Sequence, residues 1–284
     1  MRLHLRDYLR RSNLSLPPAP PVTDYSAPAA ASLSNIYGND TMGDCVVAAG
    51  YHFVGVATGN AGTLWVATPQ QIISDYSAIG GFDPNNPQAT DNGCDERTAL
   101  DYWTNTGFAD GTKLTGWAVV DGTNTAEVQA AMFLFENLFF GMELPDAWIN
   151  PFPSAPGYLW DVAGAADPSN GHAVVGVGYN ASGVQIDSWG MIGTLTYGAV
   201  ATYAAANNGE LYVMLSPDQL AKGQAVAPNG VAWSDLLVDL ASLNGQQPAP
   251  PPPVPPPPVP PSPGGVQLGL SDVQALLAAQ WPQS

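Results

Sequence analysis

With 284 residues, 45% of them hydrophobic, the chain is long enough to bury one large core or two small ones and is not a disordered polymer. Its formal net charge of -17, from 24 acidic against 7 basic residues, repels nucleic acid and anionic membrane as main partners. The 2 cysteines exclude a disulfide framework, and no apolar run reaches the roughly eighteen residues of a membrane span.

Arg2, Arg6, Arg10 and Arg11 gather most of the 7 basic residues at the start of the chain. No apolar h-region follows them, so the expectation is a protein without a secretory signal, cytoplasmic or associated with a virus particle. Residues 1–34 read as a basic, proline-rich arm. Leu3, Leu5, Tyr8 and Leu9 leave room for a short amphipathic helix, Leu16 to Pro21 forms an extended tether, and Asp24 to Ser34 is expected to wrap the body as coil. The arm either docks on an acidic surface, such as a second copy of this protein, or is a solvated terminus.

A folded domain is expected over 35–244, organised around Gly38-Asn39-Asp40-Thr41-Met42-Gly43-Asp44-Cys45 and the apolar run that follows. Asp44 reads as the N-cap of a helix extending to Thr58, with Gly59-Asn60 as its stop. Cys45 then sits in the first turn, where unpaired N–H groups and the helix dipole favour a thiolate. Asn39, six positions earlier, offers an amide that helps the Cys45 backbone N–H bind a developing oxyanion. A small buried residue opening a core helix is the competing reading of Cys45. His52 lies two turns further along near the same face and reads as a satisfied core or surface histidine.

Downstream, Thr68-Pro69 opens a capped helix, Gly80 to Asn92 is a long loop, and Gly93-Cys94-Asp95-Glu96 leads into a helix with Leu100 and Trp103 on one side. Thr115 to Val120 reads as a strand, Thr125 to Phe135 as a helix, and Leu138 to Pro145 as a buried strand. His172 to Tyr179, Val184 to Trp189 and Glu210 to Leu215 are strands separated by glycine-rich turns. A mostly helical half carrying Cys45 thus precedes a mostly β half carrying His172 and Asp187.

A Cys at a helix start, a His opening a strand in Gly171-His172-Ala173-Val174, and a polar residue before Ser-Trp-Gly in Asp187-Ser188-Trp189-Gly190 resemble the papain-like cysteine peptidases of the C1 type, in a bacterial or phage form. The likeness covers roughly residues 35–215. It implies an α+β, two-subdomain fold with the nucleophile helix in one half and an antiparallel β half. It also implies roles: Cys45 as nucleophile, His172 as general base and then acid, Asp187 orienting the imidazole, Asn39 as oxyanion donor, and Trp189 shielding the His172 to Asp187 hydrogen bond. The logic is general, since an imidazolium stabilises a thiolate and an acceptor on the far ring nitrogen fixes the tautomer. Gly93 and Cys94 fall on the loop that lines the cleft in such enzymes, although Asp95 and Glu96 stand where the family has glycines. The family's disulfide partner for Cys94 falls on Met42, which implies a free thiol. The stretch Leu144 to Trp148 would wall the specificity pocket. Asp44, directly before the nucleophile, opposes thiolate formation unless it turns away to cap the helix.

The chain continues with an amphipathic helix from Gly230 to Leu243, a polyproline linker over 245–265 and a docking helix within 266–284. The proline run from Pro248 to Pro263 is a stiff extended rod on the order of 50 Å long at about 3.1 Å per residue. Val273, Leu276, Leu277 and Trp281 share one side of the last helix, which is too short to be stable alone. No cofactor is implied, and the scattered histidines and lone cysteines give no metal-ligand spacing. Two functions of different class follow: a thiol hydrolase cleaving peptide bonds in a peptide or protein substrate, or a papain-like fold used as a structural, decoration or attachment module, as on a phage virion. In the second, the arm and the last helix mediate homo-oligomer or assembly contacts.

Overall fold

The computed structural model describes His4, Leu5 and residues 19–205 and 209–217. The chain divides into two compact units, Met1–Pro248 and Ala249–Ser284, and all described residues belong to the first. The expected helix at 230–243, the proline rod and the terminal docking helix lie outside the described residues.

Among the described residues, eight strands build one sheet: β1 (Thr23–Asp24), β2 (Gly116–Val119), β3 (Leu138–Glu143), β4 (Leu159–Trp160), β5 (Gly171–Tyr179), β6 (Gly183–Ser188), β7 (Met191–Thr196) and β8 (Gly209–Leu215). Their order is β2-β8-β3-β5-β6-β7-β4, and β1 pairs with the far end of β5, beyond the reach of β3. All pairings are antiparallel except β4 with β7. The β half is therefore nearly, not wholly, antiparallel.

Side chains alternate across a strand, and here both faces are covered. Phe139, Val175, Val177, Tyr212 and Met214 enter a core shared with helices α1 (Cys45–Asn60), α2 (Pro69–Gly80) and α3 (Glu96–Asn105). Their alternates Phe140, Val174, Leu211 and Val213 enter a second core closed by α4 (Thr125–Phe135). This α+β arrangement, with a helical half against a sheet and α1 central, is the papain-like two-subdomain fold.

Local chemistry explains the helix ends. Thr68 and Gln71 form a reciprocal capping box ahead of Pro69, and α2 closes on Gly81 at φ 72°. Asp95 accepts the Thr98 N–H at 2.8 Å and so starts α3, whose Leu100 and Trp103 are fully buried. Helix α1 runs through the expected stop at Gly59-Asn60. Gly59 serves close approach there: a Cβ would lie 2.6 Å from the Pro28 carbonyl oxygen.

Two further expectations are corrected. Asp24 to Ser34 is not coil: after β1 come a 3₁₀ turn at Ala27–Ala29 and a helical turn at Ala30–Leu33, packed on α1. The loop from Gly80 to Asn92 contains a helical turn at Pro87–Thr90. Within the arm, Leu5 is only 1% exposed and joins the β-side core, and His4 bridges to Val119. No helix among the described residues is long and apolar enough to cross a membrane.

Candidate active site

Cys45 is the first residue of α1, as its sequence context predicts, but Asp44 does not cap the helix with its side chain. Its backbone angles, φ -93° and ψ 20°, lie outside the extended region a capping residue uses. The carboxylate is fully buried, and Oδ1 accepts from Asn39 Nδ2 at 3.1 Å. Asn39 Nδ2 also donates to the Met42 carbonyl at 3.2 Å. Both amide hydrogens of the expected oxyanion donor are therefore engaged.

Burial pushes the Asp44 carboxyl up to about 7 against the Asn39 hydrogen bond, with Asp91 and Asp40 adding to the rise. Burial likewise pushes the Cys45 thiol up to about 12. A hydrogen bond from the Ala173 backbone opposes this, and the charges of Glu96 and Asp44 reinforce it. The first-turn position does not outweigh these effects, so the resting group is a thiol, contrary to the sequence expectation.

His172 opens β5, is 9% exposed and stacks on Trp189 at 4.6 Å between ring centroids, 19° from parallel. Trp189 covers the imidazole, but the His172 to Asp187 hydrogen bond it was expected to shield is absent; it holds a positive φ of 53° beside Gly190 at 74°. The ring's Nε2 lies 2.8 Å from Ser188 Oγ. Burial lowers the His172 pKa to about 4, so it rests as neutral imidazole.

Asp187 is not the partner of His172. Its Oδ2 lies 2.9 Å from His52 Nδ1, with the two side chains 4% and 0% exposed. Strand geometry dictates this. Asp187 sits directly opposite Val175, which faces α1, so the Asp187 side chain points toward the helix. Ser188, one residue on, points to the other face with Val174 and reaches His172. The sequence reading missed both Ser188 as the imidazole partner and His52 as the partner of Asp187. The signal was present in the alternation of Val184 and Ile186 with Gln185 and Asp187, and in the two-turn spacing of Cys45 and His52.

Cys45, His172 and Trp189 line one open cleft of ≈ 930 Å³. Gly93 and Cys94 line it too, as expected of that loop. Gly93 at φ 73° gives its N–H to the Tyr76 hydroxyl at 2.9 Å, so that donor is taken internally. Cys94 is a free thiol, packed with Met42 and Cys45 on the helical core. The cleft walls also carry the carboxyl groups of Asp91, Asp95, Glu96, Glu143 and Glu210, with no Lys or Arg among its described lining residues. Burial pushes the Glu96 carboxyl up to about 7. Its Oε1 fills the space over Gly141, where a Cβ would come within 2.2 Å. No cluster of potential metal ligands occurs among the described residues.

The fold is shared with solved cysteine proteases. Xylellain, a cysteine protease from Xylella fastidiosa, superposes with a TM-score of 0.51 at 15% identity, covering 69% of this chain and 86% of that one. Digestive procathepsin L 3 of Tenebrio molitor gives 0.50 at 14% identity over 70% of both chains. The proform of the ragweed pollen allergen Amb a 11, also a cysteine protease, gives 0.51 at 15% identity over 75% of this chain and 74% of its own. No family model and no curated protein sequence matches the chain.

Proposed function

We propose that the protein is a papain-like thiol hydrolase that cleaves peptide bonds through an acyl-enzyme. The observation that carries this reading is the convergence of a helix-start cysteine and a strand-start histidine on one cleft, the imidazole stacked under Trp189 and held through Nε2.

The resting pair is neutral, so proton transfer accompanies attack. In the tautomer this chemistry requires, Ser188 Oγ accepts the His172 Nε2 hydrogen, and Nδ1 is the proton-accepting position of the ring. As Cys45 Sγ bonds to the scissile carbonyl carbon, His172 takes the thiol proton, and the carbonyl oxygen becomes an oxyanion. Backbone N–H groups of the first turn of α1 have no intrahelical acceptor and face negative charge favourably. Asn39 contributes a donor by giving up its bond to Met42 or Asp44. His172 then passes the proton to the leaving amine; water attacks the thioester with His172 again as base, the C–S bond breaks to release the carboxylic acid product, and His172 returns the proton to the Cys45 sulfur.

The carboxylate-rich cleft favours peptides with Lys or Arg side chains over acidic ones. A second reading, the same fold serving as an attachment or decoration module, is favoured by the neutral thiol, because an unreactive resting cysteine suits a structural role equally well.

A peptidyl epoxide or chloromethyl ketone tests the two readings, with Cys94 as an internal control in the same cleft. The hydrolase reading expects Cys45 to be labelled faster than Cys94, the label to depend on His172, and Cys45→Ala to abolish peptide cleavage. Equal labelling of both thiols, unchanged in His172→Ala, leaves the attachment module.

A further inference from the structure

His52 touches three parts of the site at once. It stands on α1, two turns from Cys45. Its Nε2 lies 2.8 Å from the Asn35 carbonyl, its ring packs on Tyr37 at 4.8 Å between centroids, and its Nδ1 lies 2.9 Å from Asp187 Oδ2. Asn35 and Tyr37 begin the loop that carries Asn39, and Tyr37 holds a positive φ of 57° there. Asp187 immediately precedes Ser188 and Trp189, the two residues that hold His172. The next residue, Gly190, backs onto the Ser34 carbonyl so closely that a Cβ would lie 3.0 Å from its oxygen. His52, Asp187, Cys45 and His172 together wall a cavity of only ≈ 10 Å³.

The proton count follows from the partners. A carbonyl oxygen only accepts, so Nε2 of His52 carries hydrogen. An ionised Asp187 also only accepts, so one further proton lies between Nδ1 and Oδ2. It is shared whether the pair is drawn as imidazolium with carboxylate or as imidazole with carboxylic acid. Neither carboxylate oxygen of Asp187 makes a hydrogen bond of ordinary geometry to a described residue, so the approach of His52 Nδ1 to within 2.9 Å of Oδ2 is the acid's one close charged contact. Deleting one member leaves the other buried and uncompensated.

We propose that His52 is a positioning residue for the Cys45–His172 chemistry. Through the proton shared with Asp187, it clamps the nucleophile helix, the Asn39 loop and the end of β6 into one unit. Asp187 then acts on the catalytic imidazole only through that clamp and the adjoining Ser188. The kinetic consequences rest on the hydrolase reading; the clamp itself does not.

The chain has 3 histidines, which keeps the imidazole region of an NMR spectrum of ¹⁵N-labelled protein simple. One downfield, exchange-protected ring N–H is expected. It persists in Cys45→Ala and His172→Ala and disappears in Asp187→Asn and His52→Ala. Kinetically, His52→Ala is expected to lower kcat on the order of 10²-fold with KM within about threefold, because the reacting groups lose register while the cleft walls stay. Adding Asp187→Asn to His52→Ala is expected to restore at least about tenfold, since it removes the lone buried carboxylate. A role in stability alone would instead scale activity with the folded fraction. Loss of the protected proton in His172→Ala, with its retention in His52→Ala, overturns the proposal, as does a double variant no better than His52→Ala. If the intact protein turns over no peptide, the hydrolase reading falls, and the ring proton alone decides whether the clamp exists.

Discussion

Two histidine pairs lie on opposite faces of the same two strands. On the face turned away from α1, His172 meets Ser188 under the indole of Trp189; on the face toward α1, Asp187 meets His52. Residue chemistry alone would give the carboxylate to His172, because an anion stabilises an imidazolium better than a hydroxyl does. Alternation along β6 overrules that preference: adjacent residues cannot serve one imidazole from one face. The carboxylate goes to the histidine whose helix faces it, and the catalytic candidate receives a neutral partner.

The largest effects are expected at the reacting groups. Cys45→Ala and His172→Ala are each expected to lower kcat/KM for peptide hydrolysis by about 10³-fold or more, whereas the surrounding partners act by smaller factors. Assays at matched folded concentration, checked by circular dichroism, separate this from misfolding. Activity retained in Cys45→Ala ends the hydrolase reading.

Ser188→Ala asks which acceptor orients the catalytic ring. Ser188 also bonds toward Tyr158, whose hydroxyl is driven upward in pKa by burial and by the Asp187 charge, and downward by Ser188. Removing the hydroxyl frees the imidazole to rotate, and a loss of about tenfold in kcat with little change in KM is expected, as for one neutral hydrogen bond. Were Ser188→Ala silent while Asp187→Asn abolished turnover, Asp187 would have to serve His172 during catalysis.

Substrate charge sharpens a second contrast, between the acidic cleft and the basic arm at the start of the chain. Matched peptides differing only in Arg or Glu are expected to differ several-fold in kcat/KM in favour of Arg. The difference should shrink as ionic strength rises from about 0.01 to 1 M, where screening becomes short-ranged. A preference insensitive to salt would place the selectivity in shape instead of charge.

Much of the fold was legible because periodicity and caps are local. Thr68-Pro69 with Gln71, Thr125 to Phe135 and the strand from Gly171 to Tyr179 appear where their patterns place them. Short pieces were not: β4 has two residues, and Leu159-Trp160 carries no repeat long enough to read. The site was legible as residue types but not as pairs. Cys45, His172 and Trp189 reach one cleft, whereas the partner of Asp187 depended on β6 meeting α1, a relation between distant segments. Thiol acidity also needed the three-dimensional structure, since desolvation and the nearby Glu96 are invisible at Cys45's place in the chain.

The smallest expected effect is on stability, and it sets the acids beside the nucleophile against the histidine across from it. Asp44 and Glu96 have pKa values of about 7 in the folded protein and ordinary values near 4 when unfolded. Between those limits the native state binds more protons, so stability falls as pH rises from about 4 to about 7 and is flat above. His172 works the other way: its folded pKa of about 4 means that the unfolded chain binds more protons up to about 6.5, and stability rises with pH there. Asp44 and Glu96 against His172 leave a net fall on the order of 1 kcal/mol per pH unit within that window, and the carboxyls of Asp75 and Asp187, also raised by burial, act in the same direction. Urea titrations at pH 5 and pH 7 are expected to show the protein more stable at pH 5, and Asp44→Asn to flatten the difference. A protein more stable at pH 7 would mean that these carboxyls are ionised in the native state, and their charges would then hold the neighbouring Cys45 thiol neutral all the more firmly.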